Sequence, residues 1–353
     1  MAASRQAKWQ PKTEAIRPSG WDRERLKDIL LKMAGRKILV IGDVGVDRYT
    51  IGAVERISPE APVPIVLVQS ELLKLGLAAN VADNIHTLGG VPWLVGMVGD
   101  DESAREFRGL LKTARIQSSH LVLDPSRRTV VKTRVVSDRQ QLLRIDYESL
   151  HSVDAAVEAL LLKRVEQLLP RADALIIEDY AKGTLSERLL KQIFRKARAA
   201  GKIVAVDPNV KTAISHYVGA ALLTPNTREA EALSGLRIQD EASLLKAGKM
   251  ILKATRARHV VITRGKEGMA IFSAGNRKVK LIPTYAREVY DVSGAGDTVI
   301  AVLALALASG ASLEEATVLG NLAAGVEVGK RGTATVTPEE VLVALEFFGA
   351  MSV

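Results

Sequence analysis

The 353-residue chain contains no cysteine, which excludes disulfides, thiolate metal sites and a cysteine nucleophile. Aromatic residues make up only 4%, too few to furnish stacking platforms for nucleic-acid bases. No long hydrophobic run is present: the longest, Val299 to Ala308, is about half of what a bilayer-spanning helix needs. The amino-terminal residues are charged and lack the apolar core of a signal peptide. A cytoplasmic chain without a membrane partner is therefore expected. The five histidines are scattered, in no HExxH or other metal-ligand spacing. The phosphate loop GxxxxGK[ST] is missing, because "GVEVGKR" (325–331) has the wrong spacing and no hydroxyl. No GxGxxG follows the first predicted strand, and there is no GxSxG elbow.

What is there suits a large packed core: 47% hydrophobic and 25% charged residues, a composition that excludes wholesale disorder. The length is long for one domain, although α/β folds often extend that far as one unit with an insertion. The net charge of +9 is concentrated at the start, where residues 1–37 carry +6. That distribution describes a basic tail and a short helix from Asp22 to Met33, within residues 1–36, rather than a nucleic-acid surface. No nucleic-acid partner is expected.

From residue 37 onward, short β-branched runs alternate with helical patterns. "KILVIGD" (37–43), "PWLVGMVG" (92–99), "ALIIED" (174–179), "KIVAVD" (202–207), "ALLTPN" (221–226) and "HVVITRG" (259–265) predict strands. Helices are predicted over 78–88, 153–169, 184–199, 227–234 and 240–255. This alternation predicts an α/β fold with a mostly parallel sheet covered on both faces. Asp43, Asp179, Asp207, Asn226 and Arg264 stand at the carboxyl ends of strands, the edge where such sheets bind ligands. Two segments break the alternation. Residues 50–70, with three prolines, and 128–147, a hairpin around Ser137-Asp138, predict a small antiparallel sheet that could cover the cleft.

The stretch "DVSGAGDT" (291–298) carries the chemistry. Gly294 and Gly296 allow a tight turn that presents successive N–H groups at a helix N-terminus, a natural anion site. Asp297, just inside that helix, is either a cap or a general base for a substrate hydroxyl. The spacing alone leaves both open.

"DVSGAGDT", "TPNTREAE" (224–231) and "GLAANVADNIHTLGG" (76–90) together resemble the signatures of the ribokinase-like (PfkB) carbohydrate kinases. "GDVGVDRY", "RISPEAPVPIV", "EDYAKG" and "EVYDVSGAGDTV" are similar to the branch that phosphorylates heptose 7-phosphate in bacteria. The resemblance runs from about residue 37 to 345. It implies a ribokinase-like three-layer sandwich over 37–350, with lid segments at about 48–70 and 127–147. The implied reaction is transfer of the ATP γ-phosphoryl group to O1 of heptose 7-phosphate, serving lipopolysaccharide inner-core assembly. The implied cofactors are ATP, Mg²⁺ and a monovalent cation such as K⁺ near Asp291, and the implied partner is a second copy paired through the lid.

Position by position, the resemblance makes Asp297 the catalytic base and Gly294, Ala295 and Gly296 the anion hole. Asp47 and Asn80 fall at the sugar. Arg134, Arg139 and Lys182 are candidates for the substrate phosphate, each with a solvated lid surface as the plain alternative. Asn226 and Glu229 fall at the waters of Mg²⁺. Arg264 and Gly265 fall on the nucleotide-phosphate side, with Gly268 and Asn321 beside adenine and ribose. Two departures stand out. Leu77 replaces the second glycine of a usual Gly-Gly, placing a larger side chain at the sugar site or beneath it. Bifunctional members also carry a nucleotidyltransferase domain with a histidine-rich motif, so only the kinase step is expected here.

Overall fold

A computed structural model describes residues 12–15, 21–137, 140–286, 289–330 and 332–350. The chain begins with strand β1 (Lys12–Ala15), helix α1 (Arg23–Lys32) and strand β2 (Lys37–Gly42). Two long strands follow, β3 (Val44–Ile57) and β4 (Pro64–Leu77), leading into α2 (Ala78–Thr87). Next come β5 (Val91–Val95), β6 (Met97–Val98), α3 (Glu102–Thr113), β7 (Val122–Leu123), β8 (Val130–Ser137) and β9 (Gln140–Tyr147). Alternation then resumes with α4 (Ala155–Leu168), β10 (Ala174–Glu178), α5 (Glu187–Ala199), β11 (Ile203–Asp207), β12 (Leu222–Leu223), α6 (Thr227–Ser234) and α7 (Glu241–Thr255). The last elements are β13 (His259–Thr263), β14 (Met269–Ser273), β15 (Lys278–Ile282), α8 (Ala295–Ala308), α9 (Leu313–Glu327) and α10 (Pro338–Ala350).

Among the described residues, nine strands form the central sheet, in the order β1-β15-β14-β13-β12-β11-β10-β2-β5. Pairings are parallel except at β13–β14 and β14–β15. Alternate residues of the same strand feed opposite cores, as a sheet covered on both faces requires. Ile38, Val40, Ile176 and Ala205 pack on the side of α1, α2, α8 and α9. Leu39, Ile41, Ile177 and Val206 pack on the side of α4, α5 and α7. Every residue of α8 from Asp297 to Ala306 is buried, which explains an apolar run with no polar face.

Helix α1 begins one residue after Asp22, whose side chain accepts from the Arg25 N–H, and it is capped by Met33. Leu26, Ile29, Leu30 and Met33 are buried in the same core as α8 and α9. The helix of the basic head is thus an integral part of the domain, because its apolar stripe needs that cover. Residues 12–15 add a parallel edge strand beside β15.

The lid is a four-stranded sheet, β4-β3-β8-β9. It is mixed rather than antiparallel, since β3 and β8 run parallel. It also begins earlier than the sequence pattern suggests. Residues 44–49 continue as strand because Val44 and Val46 are buried and pair with Leu77 and Leu75.

Candidate active site

Helix α8 starts at Gly294, whose φ of 104° is left-handed and strains any side chain. The next N–H groups lie in the first helical turn, without intrahelical acceptors. Asp297 in that turn is 7% exposed, and both its oxygens are held. Asn80 Nδ2, on α2, donates to Oδ2 at 2.6 Å. The Tyr180 hydroxyl, just past β10, donates to Oδ1 at 2.7 Å. Asp297 Oδ1 and Oδ2 thus accept from other elements, whereas an N-cap would accept from its own helix. Burial pushes Asp297 up to about 6, with the bonds from Asn80 and Tyr180 pulling the other way.

Asp47 lies near the start of β3, between Lys74 on β4 and Lys132 on β8. Arg134 Nη1 donates to its Oδ1 at 2.8 Å, and the guanidinium also lies 5.4 Å from the Tyr49 ring. Gly76 makes room here: a Cβ would come within 3.1 Å of Asp47 Cγ. Leu77 next to it is buried, at a φ of 60°, a conformation that costs a non-glycine residue on the order of 1–3 kcal/mol. Between the lid and the segment 289–293 lies a cavity of about 600 Å³ lined by Tyr49, Lys74, Arg134, Gln141, Asp291 and Ser293. That volume is within the range of small-ligand sites.

The remaining sequence-predicted residues fall in several places. Lys182 is paired with Glu148 at 2.5 Å, and both side chains are mostly buried. Arg139 lies outside the described residues. Asn226 and Glu229 cap α6 reciprocally: Asn226 Oδ1 accepts from the Glu229 N–H at 3.0 Å and Glu229 Oε2 from the Asn226 N–H at 2.8 Å. Arg264 is paired with Glu267, at a short turn bounded by Gly265 and Gly268. Asn321 is buried on α9 and donates to the Pro283 carbonyl at 2.7 Å. Asp291 accepts from the Ser293 N–H at 2.9 Å.

Of the acids at strand ends, two serve as scaffolding. Asp43 accepts from the N–H groups of Tyr180, Lys182 and Thr184. Asp179 accepts from the Ala181 N–H and the Tyr217 hydroxyl. Asp207 instead faces the cleft: one ligand oxygen each from Glu178, Asp207 and Asp297 lies within 4.8 Å of the others. Burial raises Glu178 and Asp207 well above the usual carboxylate range. Sequence reading missed Glu178, which closes an apolar strand, and Tyr180, whose only signal was its place in "EDYAKG".

Glu327, at the end of α9, is buried with neither oxygen in a well-formed hydrogen bond, and lies close to Gly294. Burial pushes it up to about 8 from 4.5. A carboxyl that holds its proton more tightly folded than unfolded contributes stability below its unfolded pKa, lost as pH rises through the folded value. Glu327→Gln is therefore expected to raise Tm at about pH 9 and to leave it nearly unchanged at about pH 4, measured by thermal denaturation at both.

A family model described as "pfkB family carbohydrate kinase" matches residues 36–340. The chain belongs to the pfkB family of carbohydrate kinases. This pfkB-family chain is 43% identical over 314 residues to the bifunctional protein HldE of Paramagnetospirillum magneticum, covering 89% of the chain and 64% of that protein. Against HldE of Geobacter sulfurreducens the identity is 42% over 326 residues, with 92% and 66% covered. The chain thus spans just under two thirds of these curated relatives. Among solved structures, Arabidopsis thaliana ribokinase complexed with ribose and ATP matches with a TM-score of 0.71 at 18% identity, covering 89% of this chain and 99% of that one. Phosphofructokinase-2 from Escherichia coli in complex with potassium matches with a TM-score of 0.73 at 20% identity and the same coverage. The fold is accordingly ribokinase-like, as the sequence motifs imply. Among the described residues, no helix is long and apolar enough to cross a membrane.

Proposed function

We propose that the chain is an ATP- and Mg²⁺-dependent kinase acting on O1 of D-glycero-β-D-manno-heptose 7-phosphate. Its product, the 1,7-bisphosphate, serves ADP-heptose and lipopolysaccharide inner-core synthesis. The observation that carries this reading is Asp297, a buried carboxylate fixed by Asn80 and Tyr180 at the mouth of a helix entered through Gly294. The heptose-kinase motifs and the kinship with the HldE proteins support the acceptor.

In this mechanism Asp297 takes the proton of the acceptor hydroxyl as its oxygen bonds to the γ-phosphorus. The bond from phosphorus to ADP breaks, and ADP leaves with the electron pair. N–H groups of Gly294, Ala295 and Gly296 face the charge on the transferring oxygens. Asp47 binds sugar hydroxyls. Arg134, aligned by Asp47 and Tyr49, supplies a planar donor pair to the 7-phosphate, with Arg139 as a further candidate. Lys182, paired with Glu148, is a further candidate for the 7-phosphate. Arg264 and Gly265 lie toward the nucleotide phosphates, and Gly268 and Asn321 toward adenine and ribose.

The cleft's carboxylates form an all-oxygen donor set, which fits Mg²⁺. When bound, the ion neutralises charge on the nucleotide phosphates. Glu229 and Asn226, joined in the cap of α6, would organise its waters. Asp291 marks the place of a monovalent cation, in keeping with the potassium complex of phosphofructokinase-2.

Ile57, Leu67, Leu143 and Tyr147 are exposed on the lid strands, an apolar surface suited to a second copy. Light scattering is expected to give the mass of two chains, and Leu67→Glu that of one.

An acceptor panel scored by kcat/KM tests the reading. Heptose 7-phosphate is expected to exceed unphosphorylated sugars and nucleosides by about two orders of magnitude or more. Equal use of ribose or a nucleoside would contradict it.

A further inference from the structure

We propose that the ε-ammonium of Lys74, rather than free K⁺, supplies the positive charge beside Asp291. Lys74 is thereby a positioning residue for the turn that opens α8. The inference rests on the kinase reading, which sets a monovalent cation at Asp291, and it names a source of that charge within the chain.

Lys74 stands on β4 as the register partner of Asp47, and its side chain reaches from the lid to the loop after α9. There Nζ donates to the Thr333 carbonyl at 2.5 Å, and it lies 5.9 Å from the centroid of the Tyr49 ring. Gly332 gives it room, since a Cβ at that position would come within 3.4 Å of Nζ. Thr333 in turn abuts the start of α8: its Cγ2 lies 3.5 Å from where a Cβ on Gly294 would stand. One hydrogen bond thus ties the lid to the loop that supports the anion turn. Lys74, Asp291 and Ser293 line the same cavity. Burial lowers the Lys74 ammonium, and the groups that pull it back up are all carboxylates: Asp291, Glu327, Asp47 and Asp83. Asp47 is already paired with Arg134, and Glu327 keeps its proton up to about 8. At neutral pH Asp291 is therefore the principal counter-charge.

A free K⁺ ion needs several carbonyl oxygens to replace its hydration shell. Around Asp291 the carbonyls of the loop after α9 are already engaged. Val328 O accepts from the N–H groups of Tyr290 and Asp291, at 2.6 and 3.2 Å. Thr333 O accepts from Lys74, and Thr335 O from Lys330 Nζ at 2.8 Å. An oxygen of Asp291 itself holds the Ser293 N–H. This arrangement fits an ammonium, a compact point charge with three donors on a flexible stem, better than a coordinated ion. A half-buried ammonium is costly without a counter-charge, and Asp291 offsets that cost.

The test compares choline chloride with KCl at equal ionic strength, first in thermal melts of the full chain without nucleotide or sugar. The wild type is expected to melt at the same temperature in both salts. Lys74→Met, which keeps the apolar stem, is expected to melt lower in choline and to gain about 2–4 °C with K⁺, as the ion takes the oxygens left free. Turnover is then measured in the same salts. Wild-type kcat is expected to be indifferent to K⁺, while Lys74→Met loses about tenfold or more in choline and regains part of it with K⁺. Lys74→Arg retains the charge and is expected to stay indifferent to K⁺. A wild type that K⁺ stabilises or activates, or a Lys74→Met as active in choline as the wild type, would overturn the proposal. So would a folded Lys74→Met that loses turnover without responding to K⁺, which would make Lys74 a contact to the acceptor instead. The melts involve neither ATP nor sugar, so their failure leaves the kinase reading standing; no sugar phosphorylation in any salt would sink that reading.

Discussion

Asp297→Asn is expected to lower kcat by about 10²–10⁴-fold while changing the KM for ATP by no more than about threefold. The substitution keeps the shape of the side chain and its place in the first turn of α8. It removes the capacity to take a proton from the acceptor. An amide at this position also meets two donors, Asn80 Nδ2 and the Tyr180 hydroxyl, and can satisfy only one of them with its single carbonyl oxygen. A merely structural Asp297 predicts a different outcome: lower Tm with turnover preserved in the folded fraction. Steady-state kinetics paired with thermal melts distinguish the two, since a catalytic role lowers turnover without requiring a lower Tm.

Arg134→Ala has the next largest expected effect. The residue is 15% exposed at its side chain and joined to Asp47 at 2.8 Å, on the lid wall of the cavity that also holds Lys74 and Gln141. Losing a charge-assisted contact to a phosphate costs about 1.5–3 kcal/mol. That corresponds to a rise in KM for the phosphorylated acceptor of about 10–100-fold. An unphosphorylated sugar, if used at all, is expected to change far less. Arg134→Lys is expected to restore only part of the loss, because a lysine cannot present two parallel donors. An equal loss for phosphorylated and unphosphorylated acceptors would assign Arg134 to supporting Asp47 instead.

The most legible elements were those with strong local signals. Helix α6 occupies the predicted residues 227–234, because Asn226 and Glu229 form a reciprocal cap that reads directly from an N-x-x-E spacing. Helix α8 follows from glycines feeding an apolar run. The core strands β2, β10, β11 and β13 follow from short β-branched segments.

Other features depend on partners far away in the chain. The start of β3 reads as a loop after "KILVIGD", and only its pairing with Leu75 and Leu77 makes it strand. Asp43 and Asp179 look like cleft acids because they end strands, yet their oxygens are spent on the 180–184 loop and Tyr217. Tyr180 acquires its role only when α8 comes to lie against β10, and no spacing within "EDYAKG" encodes that contact. Glu178 is hidden for a related reason: an acid closing an apolar strand looks like an ordinary boundary until Asp207 and Asp297 converge on it.

The central claim is phosphoryl transfer to the anomeric hydroxyl of a sugar that already carries a phosphate. Phosphorus NMR of the full chain incubated with MgATP and D-glycero-D-manno-heptose 7-phosphate tests it most directly. The account predicts a new resonance split by the anomeric proton, growing in step with ADP and absent with Asp297→Asn. ADP formation without that resonance, or a product phosphorylated at another hydroxyl, would contradict it.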